Sequence, residues 1–455
     1  MKLTWREKLS YGIGATGKDM VCGLIFTYAM IYFTDVLKLS ASFVGSLFFL
    51  AKFWDAINDL GMGMIVDNTA SRWGKFRPWL LIGTLVNAVV FVALFTDWGL
   101  TGMSLYVFAA VMYVLWGMTY TVMDIPYWSM LPNLSQDKRE REKISVIPRI
   151  FASVGGSLLV GGLGLQIMDF LGRGDAQAGY TKFAWVIAIV FVITIVITVT
   201  QVKSADQVSE KSEKKEKTSF KKMFHIIKQN DQLLVAIAVI LTFNFAMQVM
   251  NGVSTYYFIY VAGSKAMFSV FTMFAAFAEI GGLFVFPMIV SKISRRQVYF
   301  LAAAFPVAGL AVLMIISYVA PTNVLLTAVA GICVKLGSGL QLGTVTVVLA
   351  DVVDYGEYKF GTRNESVTFS IQTLLVKFTS AMGALLTGMA LDLTGYRPNA
   401  VQSAATLLGI RIVMIIVPVI FVILSYVIYK KYFKLTGEYY EHIMNILKLR
   451  KREEV

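Results

Sequence analysis

At 455 residues, with 57% hydrophobic and only 15% charged side chains and a mean hydropathy of +0.67, the chain lacks the polar surface that a soluble protein of this size needs. It belongs in a bilayer. A net charge of +13 would suit a nucleic-acid partner, but the basic residues follow topology instead. A hydrocarbon core about 30 Å thick takes about 20 apolar residues per helix. Twelve such segments lie near 11–37, 41–66, 78–97, 103–133, 144–171, 183–201, 233–263, 267–291, 298–319, 322–350, 366–394 and 403–430. With the amino terminus, the even-numbered loops and the carboxyl tail on one side, that side holds 30 of the 41 lysines and arginines, and the odd-numbered loops hold five. This asymmetry predicts both termini in the cytoplasm and turns the basic excess toward anionic membrane lipid, with no nucleic-acid partner. The first segment is too long for a signal-peptide core and is expected to be retained. Cys22 and Cys333 stand singly in apolar segments and read as small core residues.

An ionisable group inside a membrane helix costs a few kcal/mol, so it normally faces a cavity or a partner. Segment 1 carries Lys18 and Asp19. Segment 2 carries Lys52, Asp55, Asn58 and Asp59, whose spacing puts Asp55 and Asp59 one above the other on a single face. Two carboxylates that close in a low dielectric repel unless something neutralises them. A sodium ion would do so, because hard cations want oxygen ligands, and so would a shared proton. The alternative is an ion-pair network with Lys52 and Arg149. After segment 2, Asp67 precedes a tight basic turn with Arg72, Gly74, Lys75 and Arg77. Segment 4 aligns Tyr120, Asp124 and Trp128 at i, i+4 and i+8, with Thr121 one position round and Pro126 in the backbone ladder. That stripe suits a sugar, whose hydroxyls need polar partners and whose C–H faces pack on rings. Arg149 in segment 5, and Thr373 with Lys377 in segment 11, offer further donors and acceptors. Residues 202–232 form the longest polar interruption, a solvated tether with an amphipathic stretch at 220–228. Glu279 and Lys335 are opposite charges in segments 8 and 10 and read as a structural pair.

Six segments, one cytoplasmic linker and six more resemble the layout of major-facilitator transporters, and the loop from Asp67 resembles that superfamily's signature loop, where charge contacts hold neighbouring helices in one conformation. Within the superfamily, the chain resembles the glycoside-pentoside-hexuronide:cation symporters, especially their melibiose permease branch. The stretches that carry this resemblance include Gly-Lys-Asp at 17–19, Trp-Asp-Ala-Ile-Asn-Asp at 54–59, Leu-Trp-Gly-Met-Thr-Tyr-Thr at 115–121, Met-Asp-Ile-Pro-Tyr-Trp-Ser at 123–129, Val-Asp-Tyr-Gly-Glu-Tyr-Lys at 353–359 and Gln-Thr-Leu-Leu-Val-Lys at 372–377.

The resemblance implies an all-α membrane protein of twelve transmembrane helices in two six-helix halves, 1–201 and 233–430, with a middle loop at 202–232 and a cytoplasmic tail at 431–455. It implies that Asp55 and Asp59, helped by Asn58 and Thr121, bind a coupling cation: sodium, lithium or a proton. Sugar recognition would fall to Lys18, Asp19, Asp124, Trp128 and Arg149, with Tyr120, Thr373 and Lys377 nearby. Lys52, Asp67 and Arg72 would serve gating or structure. A cytoplasmic loop holding Asp351, Asp354, Tyr355 and Glu357 would help close the inner gate. The function implied is cation-coupled symport of melibiose or a related galactoside across the bacterial inner membrane, with a sugar, a cation and lipid as partners, no cofactor, and basic loops open to a cytoplasmic regulatory protein. There are departures: Lys52 stands where arginine is expected, Leu342 where tryptophan is expected, Phe26 lacks a hydroxyl, and Glu279 and Lys335 replace amides. Lost stacking and hydroxyl contacts change which glycoside fits. An uncoupled facilitator or lipid-moving relative leaves the Asp55/Asp59 pair unexplained, and a membrane sensor would want a soluble signalling domain. An enzyme is disfavoured: the chain has no Walker-type loop, and His225 and His442 lack metal-ligand spacing.

Overall fold

In lipid every backbone N–H and C=O has to be satisfied internally, which leaves helices or closed barrels. The computed structural model describes residues 4–69, 71–134, 138–202, 229–361 and 365–453, and the regular structure among them is helical throughout. In chain order the helices are α1 (Trp5–Ile31), α2 (Ala41–Asp67), α3 (Arg77–Leu94), α4 (Met103–Leu134), α5 (Lys138–Ala152), α6 (Leu163–Gly172) and α7 (Ala176–Gln201). They are followed by α8 (Asp231–Tyr256), α9 (Lys265–Val290), α10 (Arg295–Val319), α11 (Val324–Phe360), α12 (Glu365–Leu393), α13 (Ala404–Arg411), α14 (Val417–Tyr432) and α15 (Glu438–Glu453). Most of the 202–232 tether, its amphipathic stretch included, lies outside the described residues.

Short polar side chains start these helices because the first N–H groups have no intrahelical acceptor. Thr4, Ser40, Asp175, Asn230, Ser294, Asn323 and Ser403 each accept a hydrogen bond from the backbone N–H three residues on. Among the described residues eleven helical spans are long and apolar enough to cross a membrane. The twelfth, α2, has the length, about 40 Å at 1.5 Å per residue, but carries Lys52, Asp55 and Asp59. The least membrane-like helix therefore holds the candidate cation residues.

The helices fall into two compact units: α1–α7 together with Tyr396–Val401, and α8–α15. The same supersecondary device recurs in both at an offset of 225 residues. α1 ends in a π-helical turn, Tyr32–Val36, and α8 ends in Tyr257–Val261. Leu37 N–H donates to Tyr32 and Leu39 to Phe33; Ala262 donates to Tyr257 and Ser264 to Phe258. The left-handed position after the turn is Lys38 in the first copy and Gly263 in the second. Glycine takes that conformation at no steric cost, whereas lysine is strained there. Such internal repeats are how many transporter folds are built. The first copy alone carries a buried acid: Asp35 accepts from the Tyr396 hydroxyl and, through its carbonyl, from the Asn399 amide.

In the first unit, α1 is fastened to α4 by Tyr11 and Tyr127, which stack at 4.7 Å while each hydroxyl donates to the other's backbone carbonyl. Against α7 the approach is so close that a Cβ on Gly17 would come within 2.7 Å of the Phe191 backbone. These contacts fix the rotation of α1, and with it the direction of Lys18.

In the second unit, the expected loop carrying Asp351, Asp354, Tyr355 and Glu357 is helical, a correction to the sequence reading. α11 runs 37 residues to Phe360, about 55 Å, so its last turns outreach a hydrocarbon core of about 30 Å. Their polarity marks the exit from lipid without ending the helix. The extension persists because α15 packs on it: Ile443 and Leu447 join Leu349, Val352 and Tyr355 in one buried cluster. Around it Arg295 pairs with Asp351, the Tyr440 hydroxyl donates to Asp354 at 2.9 Å, and Lys359 and Tyr355 both reach Asp231. Burial, followed by the Asp351 carboxylate, pushes the Tyr440 hydroxyl well above its ordinary value, so it remains a donor. Gly361, in the left-handed conformation, ends the helix.

Candidate functional site

α2 and α4 meet in register. On α2, Asp55, Asn58 and Asp59 share one face; on α4, Gly117, Met118 and Thr121 do the same. Thr121 Oγ donates to Asp59 Oδ1 at 3.1 Å, and the Asn58 amide donates to the Met118 carbonyl at 3.3 Å. Asp55 lies against Gly117, where an added Cβ would come 2.6 Å from Asp55 Oδ1. An added Cβ would displace the Asp55 carboxylate, so Gly117 belongs to the site, although a residue without a side chain gives no chemical signal in a sequence. The donor set is two carboxylates, a hydroxyl and a carbonyl, all oxygens, which suits a hard monovalent cation or a proton. Lys52 Nζ stands 3.6 Å from Asp55, beyond hydrogen-bond length, and 4.6 Å from the centroid of the Phe26 ring. Phe26 thus has a contact that a hydroxyl would not improve.

The second cluster is centred on Lys18, which is 3% exposed. Its ammonium lies 2.8 Å from Asp124, 3.1 Å from Asp19 and 3.3 Å from the Tyr120 hydroxyl, with the Trp128 and Tyr127 rings at 5.0 and 5.4 Å. An ammonium has three hydrogens; Asp124 and the Tyr120 hydroxyl each accept one, and Asp19 faces the charge as an ion-pair partner. Asp19 and Asp124 are about one-quarter exposed, 28% and 26%, and each keeps lone pairs on that side. The cluster carries one positive and two negative charges, and hydroxyl groups of a solute would find acceptors rather than donors. A ring chain links the two clusters: Tyr120 to Trp116 at 5.6 Å, Trp116 to Phe26 at 6.1 Å, then Lys52. Tyr120 and Thr121 are consecutive on α4, one facing Lys18 and the other Asp59.

The remaining sequence candidates lie elsewhere along the chain, some of them in the second unit. Arg149 is exposed on α5. Thr373 and Lys377 stand one turn apart on α12 in the second unit, as does Leu342 on α11. Asp67 is the last residue of α2, and Arg72 is exposed in the turn that follows. Asp351 and Asp354 belong to the α11–α15 network, and Glu357 lies one turn further along α11. Glu279 and Lys335 pair at 3.3 Å.

Comparison with known proteins agrees with this architecture. Residues 10–436 match the family model described as MFS/sugar transport protein. The inner membrane symporter YicJ of Escherichia coli (strain K12) is 28% identical over 99% of this chain and 96% of its own length. The lactose permease of Lactobacillus delbrueckii subsp. bulgaricus is 29% identical over 98% of this chain and 73% of its own. A bacterial homologue of the human lysosomal transporter Spinster, solved in an inward-facing and unoccupied conformation, shares the fold with a TM-score of 0.67 at 14% identity, over 93% of this chain and 95% of that one. The protein is a multi-pass membrane transporter rather than an enzyme. It belongs to the MFS/sugar transport protein family, among the glycoside-pentoside-hexuronide:cation symporters of the major facilitator superfamily.

Proposed function

We propose that the protein carries a neutral glycoside, melibiose or a related galactoside, into the cell together with sodium, lithium or a proton by alternating access. The observation that carries the reading is the adjacency of Tyr120 and Thr121 on α4: one helix serves a hydroxyl-accepting cluster and an oxygen-only cation cluster at consecutive residues. Two carboxylates one turn apart on α2 repel when both are charged, and Lys52 stands 3.6 Å from Asp55. A cation shared by both carboxylates removes that repulsion and draws α2 toward α4. The pull settles Thr121 and, one residue earlier, Tyr120, so Lys18 and Asp124 are held as a sugar needs them. Sugar hydroxyls donate to the open lone pairs of Asp19 and Asp124 while a C–H face lies on Trp128. Lys18 acts by positioning: Asp124 and the Tyr120 hydroxyl already take two of its hydrogens, and Asp19 balances its charge. Thr373 and Lys377 would supply sugar contacts from the second unit, and both termini would lie in the cytoplasm. The lactose permease among its relatives favours a galactoside as the first probe.

The test is radiolabelled melibiose uptake into proteoliposomes with and without an imposed inward sodium gradient. Accumulation above the external concentration, dependent on the gradient, is the expected result. Equilibration only, unaffected by sodium, lithium or proton gradients, would leave an uncoupled facilitator. No uptake of melibiose, lactose or raffinose would remove the galactoside.

A further inference from the structure

The ion pair between Glu279 and Lys335 has no part in either cluster above. Glu279 lies 14 residues into α9, about 21 Å along a helix of about 39 Å, and Lys335 lies 11 residues into α11, about 17 Å from its start. Both depths fall well inside a hydrocarbon core of about 30 Å. The pair is nevertheless open: 39% of the Glu279 side chain and 20% of Lys335 are exposed. If lipid covered it, each charge would cost about 2.5–3.5 kcal/mol on insertion scales. That cost favours a water-filled cavity over lipid as what covers the pair.

Packing does not require the pair. α9 and α11 touch through glycines next to it: a Cβ on Gly339 would come 2.5 Å from the Glu279 carbonyl, and one on Gly282 would come 2.8 Å from the Leu336 carbonyl. The backbones already meet there, and the charged side chains stand on the rim of the seam. Their one contact, 3.3 Å long, occupies one of three ammonium hydrogens and one of about four carboxylate lone-pair sites. What remains is an acceptor and a donor side by side, with no net charge. A hydroxyl both donates and accepts, so a vicinal pair of sugar hydroxyls matches this arrangement, whereas a carboxylate-bearing sugar gains nothing from a neutral pair.

We propose that Glu279 and Lys335 form a hydroxyl-binding subsite of the second unit that sets which neutral glycoside is accepted. This rests on the glycoside reading above and adds a specificity determinant to it. Removing one partner would strand the other charge and endanger folding, so the informative variant is the double substitution Glu279→Gln/Lys335→Gln, which strands none. The measurement is the Kd of the purified full-length protein for tritiated melibiose, lactose and raffinose at saturating sodium. A subsite predicts that the double variant binds sugar but changes the ratio between at least two of the three Kd values by about tenfold. Glu279→Lys/Lys335→Glu keeps an ion pair with donor and acceptor exchanged, and is expected not to restore the wild-type ratios. A purely structural pair predicts ratios unchanged in the double variant, or restored by the exchange, and either result overturns the proposal. A wild type that binds none of the three sugars would instead contradict the galactoside reading, and the subsite with it.

Discussion

Asp59→Asn is expected to abolish accumulation of sugar against its gradient while leaving downhill sugar entry measurable. Asparagine keeps the size and still accepts from Thr121 Oγ, which sits 3.1 Å from Asp59 Oδ1, so the α2–α4 seam persists. What is lost is one of the two negative charges that bring the cation in. The remaining carboxylate, Asp55, stands 3.6 Å from Lys52, and the pull on sodium or a proton is weakened. Coupling free energies of about 1–3 kcal/mol are typical, about 5–150-fold in affinity, and the whole of that factor should go. Uptake under a sodium gradient measures it: the variant should stop at the external concentration, and an Asp59→Asn protein that still accumulates sugar would place the cation elsewhere.

The second large effect is expected at Lys18. Replacing it with Met removes the one cation that, among the described residues, pairs with Asp19 and Asp124, and strands two carboxylates in a site where the lysine is 3% exposed. Breaking a buried pair typically costs about 3–5 kcal/mol, here paid at both acids. Sugar binding should fall beyond detection, and the thermal midpoint of the purified protein should drop. Lys18→Met combined with Asp124→Leu separates the two roles, because it leaves a smaller charge imbalance. The midpoint should recover in large part while sugar binding does not. If binding returned with stability, Lys18 and Asp124 would be structural only.

Much of this was legible in the sequence, and the limits of legibility are physical. The i, i+4 spacing of Asp55 and Asp59 and the stripe of Tyr120, Asp124 and Trp128 are properties of a single helix, which periodicity reports. The partner of Asp55 was not, because Gly117 lies 62 residues further on and contributes only the absence of a side chain. The π-helical turns that end α1 and α8 were also hidden, since one extra residue per turn leaves hydropathy unchanged. The loop that the resemblance implies at Asp351, Asp354, Tyr355 and Glu357 is instead the end of α11, and the fall in hydropathy after residue 350 marks only its exit from lipid. Helix and membrane boundaries coincide in short helices, and α11 at 37 residues is not short.

The most direct test of coupling between the two clusters is reciprocity in binding. Melibiose affinity of the purified protein is measured without sodium and at saturating sodium, and sodium affinity without melibiose and at saturating melibiose. If α4 links the sites, each ligand raises the affinity of the other by the same factor, as linkage requires. A melibiose affinity indifferent to sodium, lithium and pH alike would contradict the link, and the Asp55–Asp59 pair would then need another explanation.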